Sequence, residues 1–114
     1  MAEHSETPLK NADRIRELND QLRRTFTGGA ICITRGVCER CDTNAVLAAV
    51  QAFDSFNDAN DPWREHDFGA LELEGQTLFW KIDYYAPGMQ GGSPDPADPR
   101  ITERILTIML AEDY

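Results

Sequence analysis

The stretch 66–85, HDFGALELEGQTLFWKIDYY, constrains the fold of this chain more than any other. Apolar and polar residues alternate on both sides of Glu74-Gly75, which is typical of two half-buried strands. Glycine supplies the positive φ that a tight turn between two strands needs. The stretch therefore predicts a β-hairpin, and a two-residue turn places Leu73 opposite Gln76.

This register divides the hairpin into two faces. The predicted core face carries Leu71, Leu73, Leu78, Trp80 and Ile82. The opposite face carries His66, Phe68, Ala70, Glu72, Thr77, Phe79, Lys81 and Asp83. In the same register His66 lies directly opposite Asp83. A shift of one residue would exchange the two faces, so the pairing depends on the turn length.

Length and composition indicate one globular domain. A chain of 114 residues that is 41% hydrophobic can bury a compact core without disulfides. Residues 1–10 are polar and predict a flexible tail, and residues 11–114 predict a single α+β domain. No apolar run reaches the length of a membrane span, and the N-terminus has no signal-peptide core. We therefore expect a cytoplasmic protein that does not enter a membrane, with its three cysteines reduced.

The remaining elements follow from local patterns. A first helix is predicted from Asn11 to about Phe26, with Ile15, Leu18 and Leu22 at helical spacing on one face. A short strand is predicted from Ala30 to Arg35. Residues 36–41 are expected to be a connection. Asp42 or Thr43 caps the predicted second helix, which ends near Phe56. Residues 57–65 and 85–97 are predicted loops.

The C-terminal segment predicts a third helix, from Asp98 to about Glu112. Asp98-Pro99 is typical of an N-cap followed by the first helical residue. Ile101, Ile105 and Ile108 recur at helical spacing. The predicted order is therefore α-β-α-β-β-α. It gives an α+β fold with a small three-stranded, mainly antiparallel sheet and three helices.

The net charge of −9 is unevenly distributed. Residues 1–40 are nearly neutral, whereas residues 41–114 hold fourteen acidic and four basic side chains. Such a surface disfavours direct nucleic-acid binding, which requires Lys and Arg to neutralise phosphates. It suits a basic protein surface, although high charge also serves solubility alone. Both interpretations remain open.

Several strings together resemble a family of small acidic bacterial proteins known only as a domain of unknown function. They are RIRELND, TGG, ITRGV, AVQAFDSF, DANDP, EHDFG, FWKIDYY, SPDPADP and LTIMLAEDY, and they span residues 14–114. The resemblance implies a protein carried in proteobacterial genomes and on mobile elements, often beside anti-restriction genes. It implies no catalytic residue, and Cys38 and Cys41 are outside these motifs.

A possible catalytic group is centred on His66. A carboxylate beside an imidazole orients it as a general base, which Asp83 would do in the predicted register. Lys81 would then stabilise a developing anion. The alternative is that His66 and Asp83 form a structural pair at the base of the hairpin. No nucleophile or phosphate-binding loop accompanies them, so catalysis is the less favoured interpretation.

Metal and cofactor sites are not predicted. Cys38-x-x-Cys41 has the spacing of a zinc knuckle but supplies only two of four ligands. Cys32 falls on the predicted strand, where a buried thiol behaves as a small hydrophobic group. The acidic side chains in and beside the loop 57–65 lack the spacing of a calcium-binding loop; they are Asp54, Asp58, Asp61, Glu65 and Asp67.

A partner-binding surface is the preferred interpretation. The predicted interface consists of Asp54, Asp58, Asp61, Trp63, Glu65, Asp67 and Tyr85. The acids lie close in sequence with only Arg64 to offset them, and Trp and Tyr dominate binding hot spots. The opposite possibility is that Trp63 folds back over the sheet edge.

The sequence thus predicts an acidic protein-binding accessory factor rather than an enzyme. Its most specific version is an inhibitor of a nucleic-acid-handling defence system, of the anti-CRISPR or anti-restriction kind, which occupies a basic nucleic-acid-binding surface. The alternatives are a small enzyme that uses His66, Asp83 and Lys81, and a homodimeric structural module with an exposed sheet face.

Overall fold

In the computed structural model, which describes residues 8–114, three α-helices pack on one face of a four-stranded sheet. The elements are α1 (Pro8–Thr25), β1 (Ala30–Ile33), α2 (Arg35–Arg40), α3 (Thr43–Ala52), β2 (Phe68–Leu73), β3 (Gln76–Tyr85) and β4 (Glu103–Leu110). Single 3-10 turns span Pro87–Met89, Pro99–Ile101 and Ala111–Asp113. The predicted tail covers residues 1–10. Residues 1–7 of it lie outside the described residues, and residues 8–10 already belong to α1.

The sheet has the strand order β1-β4-β3-β2. β1 pairs with β4 in parallel, whereas β4 pairs with β3, and β3 with β2, in antiparallel orientation. The prediction of a three-stranded, mainly antiparallel sheet is therefore wrong, because the sheet is four-stranded and mixed. The α+β class and the number of α-helices agree with the structure.

The predicted C-terminal helix is in fact the strand β4. Asp98 does cap the segment, since its side chain accepts a hydrogen bond from the Arg100 backbone N–H, but only one 3-10 turn follows. Residues 103–110 then extend between β1 and β3 with alternating burial. The periodicity of a nearly continuous apolar run does not distinguish a buried helix from a central strand. Here the pairing with β1 and β3 makes the segment a strand.

The other predicted boundaries need smaller corrections. α1 begins at Pro8 rather than Asn11, and the predicted connection 36–41 contains the short helix α2. The Asp42 side chain caps α3 as predicted, accepting hydrogen bonds from the backbone N–H groups of Asn44 and Ala45. α3 ends at Ala52, four residues before the predicted end.

The hairpin prediction is confirmed. Leu73 pairs with Gln76, and the register continues to Phe68 opposite Lys81. Glu74 and Gly75 both have positive φ, at 55° and 79°, as a two-residue hairpin turn requires. The predicted core face packs as expected. Leu78, Trp80 and Ile82 are buried, and Leu71 and Leu73 pack against them.

The core lies between the helices and one face of the sheet. Buried residues of all three helices, Leu22, Val37, Val46 and Val50, join Leu78, Trp80, Ile82, Leu106, Ile108 and Leu110 in one cluster. Gly69 lies opposite Trp80, and a Cβ there would collide with the indole and with Phe53. The opposite face of the sheet carries no helix among residues 8–114.

The strand assignment of β4 predicts unequal effects of two isoleucine truncations. Ile108 is fully buried on the core face, whereas Ile105 is half-buried on the other face. We expect Ile108→Ala to lower the free energy of unfolding by about 2–5 kcal/mol, and Ile105→Ala to lower it by less than about 1.5 kcal/mol. Chemical denaturation of both variants gives the comparison. Equal losses of unfolding free energy in the two variants would contradict the assignment of these residues to opposite faces of β4.

Candidate functional site

The inner face of α1 carries polar side chains where an apolar stripe was predicted. Ile15 and Leu22 are buried as expected, but Asn19 and Arg23 are also fully buried, whereas Leu18 remains half-exposed. Buried polar groups are stable only where hydrogen bonds satisfy them. Asn19 and Arg23 therefore determine which segments can pack against this helix.

Arg23 binds the C-terminal end of α3. Its Nη1 donates to the backbone carbonyls of Val50, Gln51 and Phe53 at 3.1, 3.2 and 2.7 Å. These carbonyls lie at the end of the helix, where positive charge is favourable, and the Val50 carbonyl also accepts from the Phe53 backbone N–H. Burial lowers the pKa of the Arg23 guanidinium, and the nearby Asp20 carboxylate opposes this shift. The contact fixes the C-terminal end of α3 against α1.

Two aromatic rings enclose the same guanidinium. The Cζ of Arg23 lies 5.4 Å from the ring centroids of Phe56 and of Trp80. Asp20 Oδ1 accepts a further hydrogen bond from Nη2 at 3.3 Å. Cation–π attraction and this ion pair offset part of the cost of removing the charge from water. Residues 53–56 are thereby fixed beside the sheet.

Asn19 connects α1 to the segment before β2 and to the sheet. Its Nδ2 donates to the Glu65 backbone carbonyl at 2.9 Å and to the Tyr84 hydroxyl at 2.8 Å. Its Oδ1 accepts from Nε of the buried Arg104 at 2.9 Å. The Tyr84 hydroxyl in turn donates to Glu65 Oε1 at 2.9 Å. Helix, loop, β3 and β4 thus share one hydrogen-bond network.

Burial also shifts the pKa values within this network. It raises the pKa of the Tyr84 hydroxyl far above its ordinary value. It lowers the pKa of Arg104, whose guanidinium lies 5.1 Å from the Tyr84 ring centroid and donates to the Pro96 carbonyl. Tyr84 therefore remains a neutral donor at any physiological pH.

The loop 57–65 is held by its own side chains. Asn57 Oδ1 accepts from the backbone N–H groups of Ala59 and Asn60, and Asn60 Nδ2 donates to the Ser55 carbonyl. Asp61, only 6% exposed, accepts from the backbone N–H groups of Glu65 and His66 through Oδ1, at 3.1 Å each. These bonds fix the loop before any ligand binds.

The backbone next to these bonds is strained. Arg64 and His66 have φ values of 57° and 55°, in the left-handed region that costs an L-residue about 1 kcal/mol or more. The hydrogen bonds to Asp61 and a bond from Arg16 to the Arg64 carbonyl hold this conformation. A strained loop that side-chain hydrogen bonds hold in place is a feature of sites that are organised in advance.

His66 lies between two carboxylates. Its Nδ1 is 2.9 Å from Asp20 Oδ1, and its Nε2 is 3.5 Å from Asp61 Oδ2. The imidazole stacks on Phe56, with the ring centroids 3.7 Å apart and the planes 6° from parallel. The ring is thus fixed in orientation at the edge of an open cleft.

The cleft has a volume of about 520 Å³. It is lined by Asp13, Arg16, Phe56, Asn57, Asp58, Asp61, Arg64 and His66. Arg16 binds Asp13 at 2.8 Å, and Arg64 lies 3.9 Å from Asp58. Most charges of the cleft are therefore paired within it, and no serine, threonine or cysteine is among these lining residues.

The predicted catalytic group is not assembled. Asp83 pairs with Lys81 on the same strand at 2.9 Å, and this hydrogen bond raises the pKa of Lys81. His66 pairs instead with Asp20 and Asp61. The predicted pairing of His66 with Asp83 is wrong, because the left-handed backbone at His66 ends the regular hairpin register before that position.

The predicted interface residues have different environments. Trp63 is 77% exposed, so it does not fold back over the sheet edge. Asp54 and Asp58 are exposed, but Asp61, Glu65 and Asp67 are buried or half-buried. Tyr85 alternates with Tyr84, and its side chain belongs to the helix-free face of the sheet. The predicted surface is therefore not one continuous acidic patch.

The cysteines are distributed differently from the prediction. Cys32 is exposed on β1 rather than buried, Cys38 is exposed on α2, and Cys41 is half-buried. Among the described residues, no group of three or more His, Cys, Asp or Glu side chains is arranged to hold a metal ion. None of the helices in residues 8–114 has the length and apolar character needed to cross a bilayer.

The sequence analysis missed Asn19, Asp20, Arg23 and Arg104. Asn19 and Arg23 occupy positions i and i+4, and together with Ile15 and Leu22 they fall on one side of α1. This spacing was a detectable signal that the inner face is partly polar. Nothing in the sequence indicated that carbonyls of α3 would be the partners of Arg23.

A family model described as "Protein of unknown function (DUF3768)" matches residues 14–113. The chain belongs to this family. The DUF3768 match includes Asn19, Arg23, the loop 57–65 and all four strands. No curated protein and no solved structure is significantly similar to the chain.

The carboxyl group of Asp67, just after the loop 57–65, should make the stability of this DUF3768 protein depend on pH. Burial, followed by the charge of Glu65, raises the pKa of Asp67 from 3.8 to about 6. The folded state therefore holds a proton more tightly than the unfolded chain, and stability falls as pH rises from about 4 to 6.

Replacement of this carboxyl group should remove the effect. We expect the stability of Asp67→Asn relative to the wild type to rise by about 1–2 kcal/mol as the pH increases from 4 to 7. This range allows for solvent screening. Denaturation at several pH values measures the difference in unfolding free energy between the two proteins. The contributions of the other titrating groups cancel in this difference. A difference that is independent of pH would show that Asp67 titrates normally in the folded protein.

Proposed function

We propose that this protein acts by binding another protein through the loop 57–65, with Trp63 as the anchor. The observation that carries the proposal is the exposure of Trp63, 77%, on a loop that is fixed by hydrogen bonds. Exposed tryptophan is costly in water and is enriched among residues that dominate binding energy. A loop that is already ordered loses little entropy on binding.

The charge on this loop supports a basic partner. Asp54 and Asp58 are exposed beside the anchor in sequence, and the Asp58 side chain is 96% exposed. The whole chain carries a net charge of −9. Opposite charge on the partner would accelerate the encounter and make association sensitive to salt.

The finer proposal is that the partner is a nucleic-acid-handling enzyme of a bacterial defence system, of the CRISPR or restriction kind. The acidic protein would then occupy a basic nucleic-acid-binding surface in the cytoplasm. Support for this comes from the charge balance and from the resemblance to proteins of bacterial mobile elements. Within the acidic stretch 54–74, Asp61 and Glu65 accept hydrogen bonds inside the protein. The exposed negative charge of this stretch comes from Asp54, Asp58, Glu72 and Glu74.

Catalysis is less well supported by the geometry. His66 is held by Asp20 as a general base would be, but its second nitrogen faces Asp61. The other two residues of the catalytic hypothesis, Lys81 and Asp83, bind each other on the helix-free face of the sheet. The arrangement therefore favours a role for His66 in fixing the loop.

The binding proposal is tested with matched baits. We expect wild-type protein and Met89→Ala to retain the same basic protein from a host lysate, and Trp63→Ala to lose it. Met89 is the control because it is another exposed apolar side chain, at 45%, outside the loop. With the purified partner, Trp63→Ala should weaken affinity by about 30-fold or more.

A second variant tests the contribution of the acidic side chains to partner binding. Asp54→Lys with Asp58→Lys should slow association and reduce its salt dependence, while the unfolding midpoint stays nearly unchanged. Asp61 is left intact because its carboxylate holds the backbone of the loop. If Trp63→Ala binds every candidate partner as tightly as the wild type does, the loop is not the interface.

A further inference from the structure

The helix-free face of the sheet, called here the outer face, is largely apolar. The strand registers align Phe68, Lys81, Thr107 and Cys32 in one row, and Ala70, Phe79 and Met109 in the next. Tyr114 packs on this face, with its ring 6.1 Å from Phe68 and 5.4 Å from Phe79. The outer face thus presents the half-buried Phe68 and Phe79 and the exposed Tyr114, whereas Met109 is already buried. No α-helix of residues 8–114 covers this face.

The centre of the outer face carries two opposite charges. Lys81 and Asp83 lie two residues apart on the central strand β3 and form an ion pair at 2.9 Å, with each side chain about one-third exposed. The acids Glu72 and Glu103 lie toward the ends of β2 and β4. The centre is therefore electrically neutral, although the whole chain has a net charge of −9.

We propose that the outer face is the interface of a homodimer. Around a twofold axis across β3 at Ile82, Lys81 of one protomer faces Asp83 of its partner, and Asp83 faces Lys81. A second copy of the chain thus matches both charges at once. A purely basic or purely acidic partner would leave one of the two groups opposite a like charge.

The size of the face fits a weak interface. Its four strands contain 4, 6, 10 and 8 residues, and at ~4.8 Å between strands and ~3.3 Å per residue they form a plane of roughly 440 Å². Two such faces together reach about 900 Å², in the size range of weak association. The dimer should therefore dissociate on dilution. This interface lies on the side of the sheet opposite α1, so it leaves the loop 57–65 free.

Sedimentation of charge variants tests the pairing. We expect the wild type to be a dimer that dissociates on dilution, and Lys81→Asp and Asp83→Lys each to be monomeric, because like charges then face each other. An equimolar mixture of the two variants should form a heterodimer. The double exchange, Lys81→Asp with Asp83→Lys, keeps the complementarity and should dimerise as the wild type does.

Two further variants keep the result interpretable. Thr107→Arg places a bulky cation next to Lys81 without removing either charge, and it should also give a monomer, even if a single charge variant fails to fold. Trp63→Ala should remain a dimer, which separates this interface from the proposed partner site. A wild type that is monomeric at every concentration would overturn the proposal, as would single variants that dimerise like the wild type or a mixture that fails to associate.

Discussion

The fold depends on the burial of one arginine between two helices. Removing a guanidinium from water costs several kcal/mol unless hydrogen bonds replace the lost hydration. Arg23 meets this condition at Nη1 and Nη2, with three carbonyls at the end of α3 and the Asp20 carboxylate, and two aromatic rings enclose the group. Its buried Nε has no hydrogen-bond partner among the described residues. The interaction is directional, because the end of a helix presents several carbonyls close together. It therefore fixes the end of α3 against α1 above the sheet.

The position of the loop 57–65 follows from this constraint. Once α3 ends at Ala52, the chain must turn away, and residues 53–56 pack beside Trp80 before the loop begins. Asn19, one helical turn before Arg23, then holds the Glu65 carbonyl at the other end of the loop. Two polar residues of one helix thus anchor both ends of the segment that exposes Trp63.

How much of this could be predicted depends on whether the determining contacts are local. The hairpin was correct because Glu74-Gly75 and the alternating leucines define it within one stretch. β4 was mistaken for a helix because Ile101, Ile105 and Ile108 share helical spacing, and its strand partners are distant in sequence. The sequence left open whether Trp63 is exposed or folds back over the sheet edge, and the structure shows that it is exposed. The roles of Arg23 and Asn19 were not predicted, since arginine is rarely buried and the carbonyls that these two side chains bind lie 27 or more residues away.

Hydrogen exchange of the Arg23→Met variant tests this account most directly. The backbone amides of Glu65 and His66 report on the loop, because both donate to Asp61. Arg14→Met is the control, as Arg14 is an exposed arginine of the same helix whose side chain, among the described residues, binds only Glu17. The account predicts that Arg23→Met accelerates exchange at these two amides by about tenfold or more, while amides of β3 and β4 change much less and Arg14→Met has no effect. Unchanged protection of Glu65 and His66 in the Arg23→Met variant would contradict it.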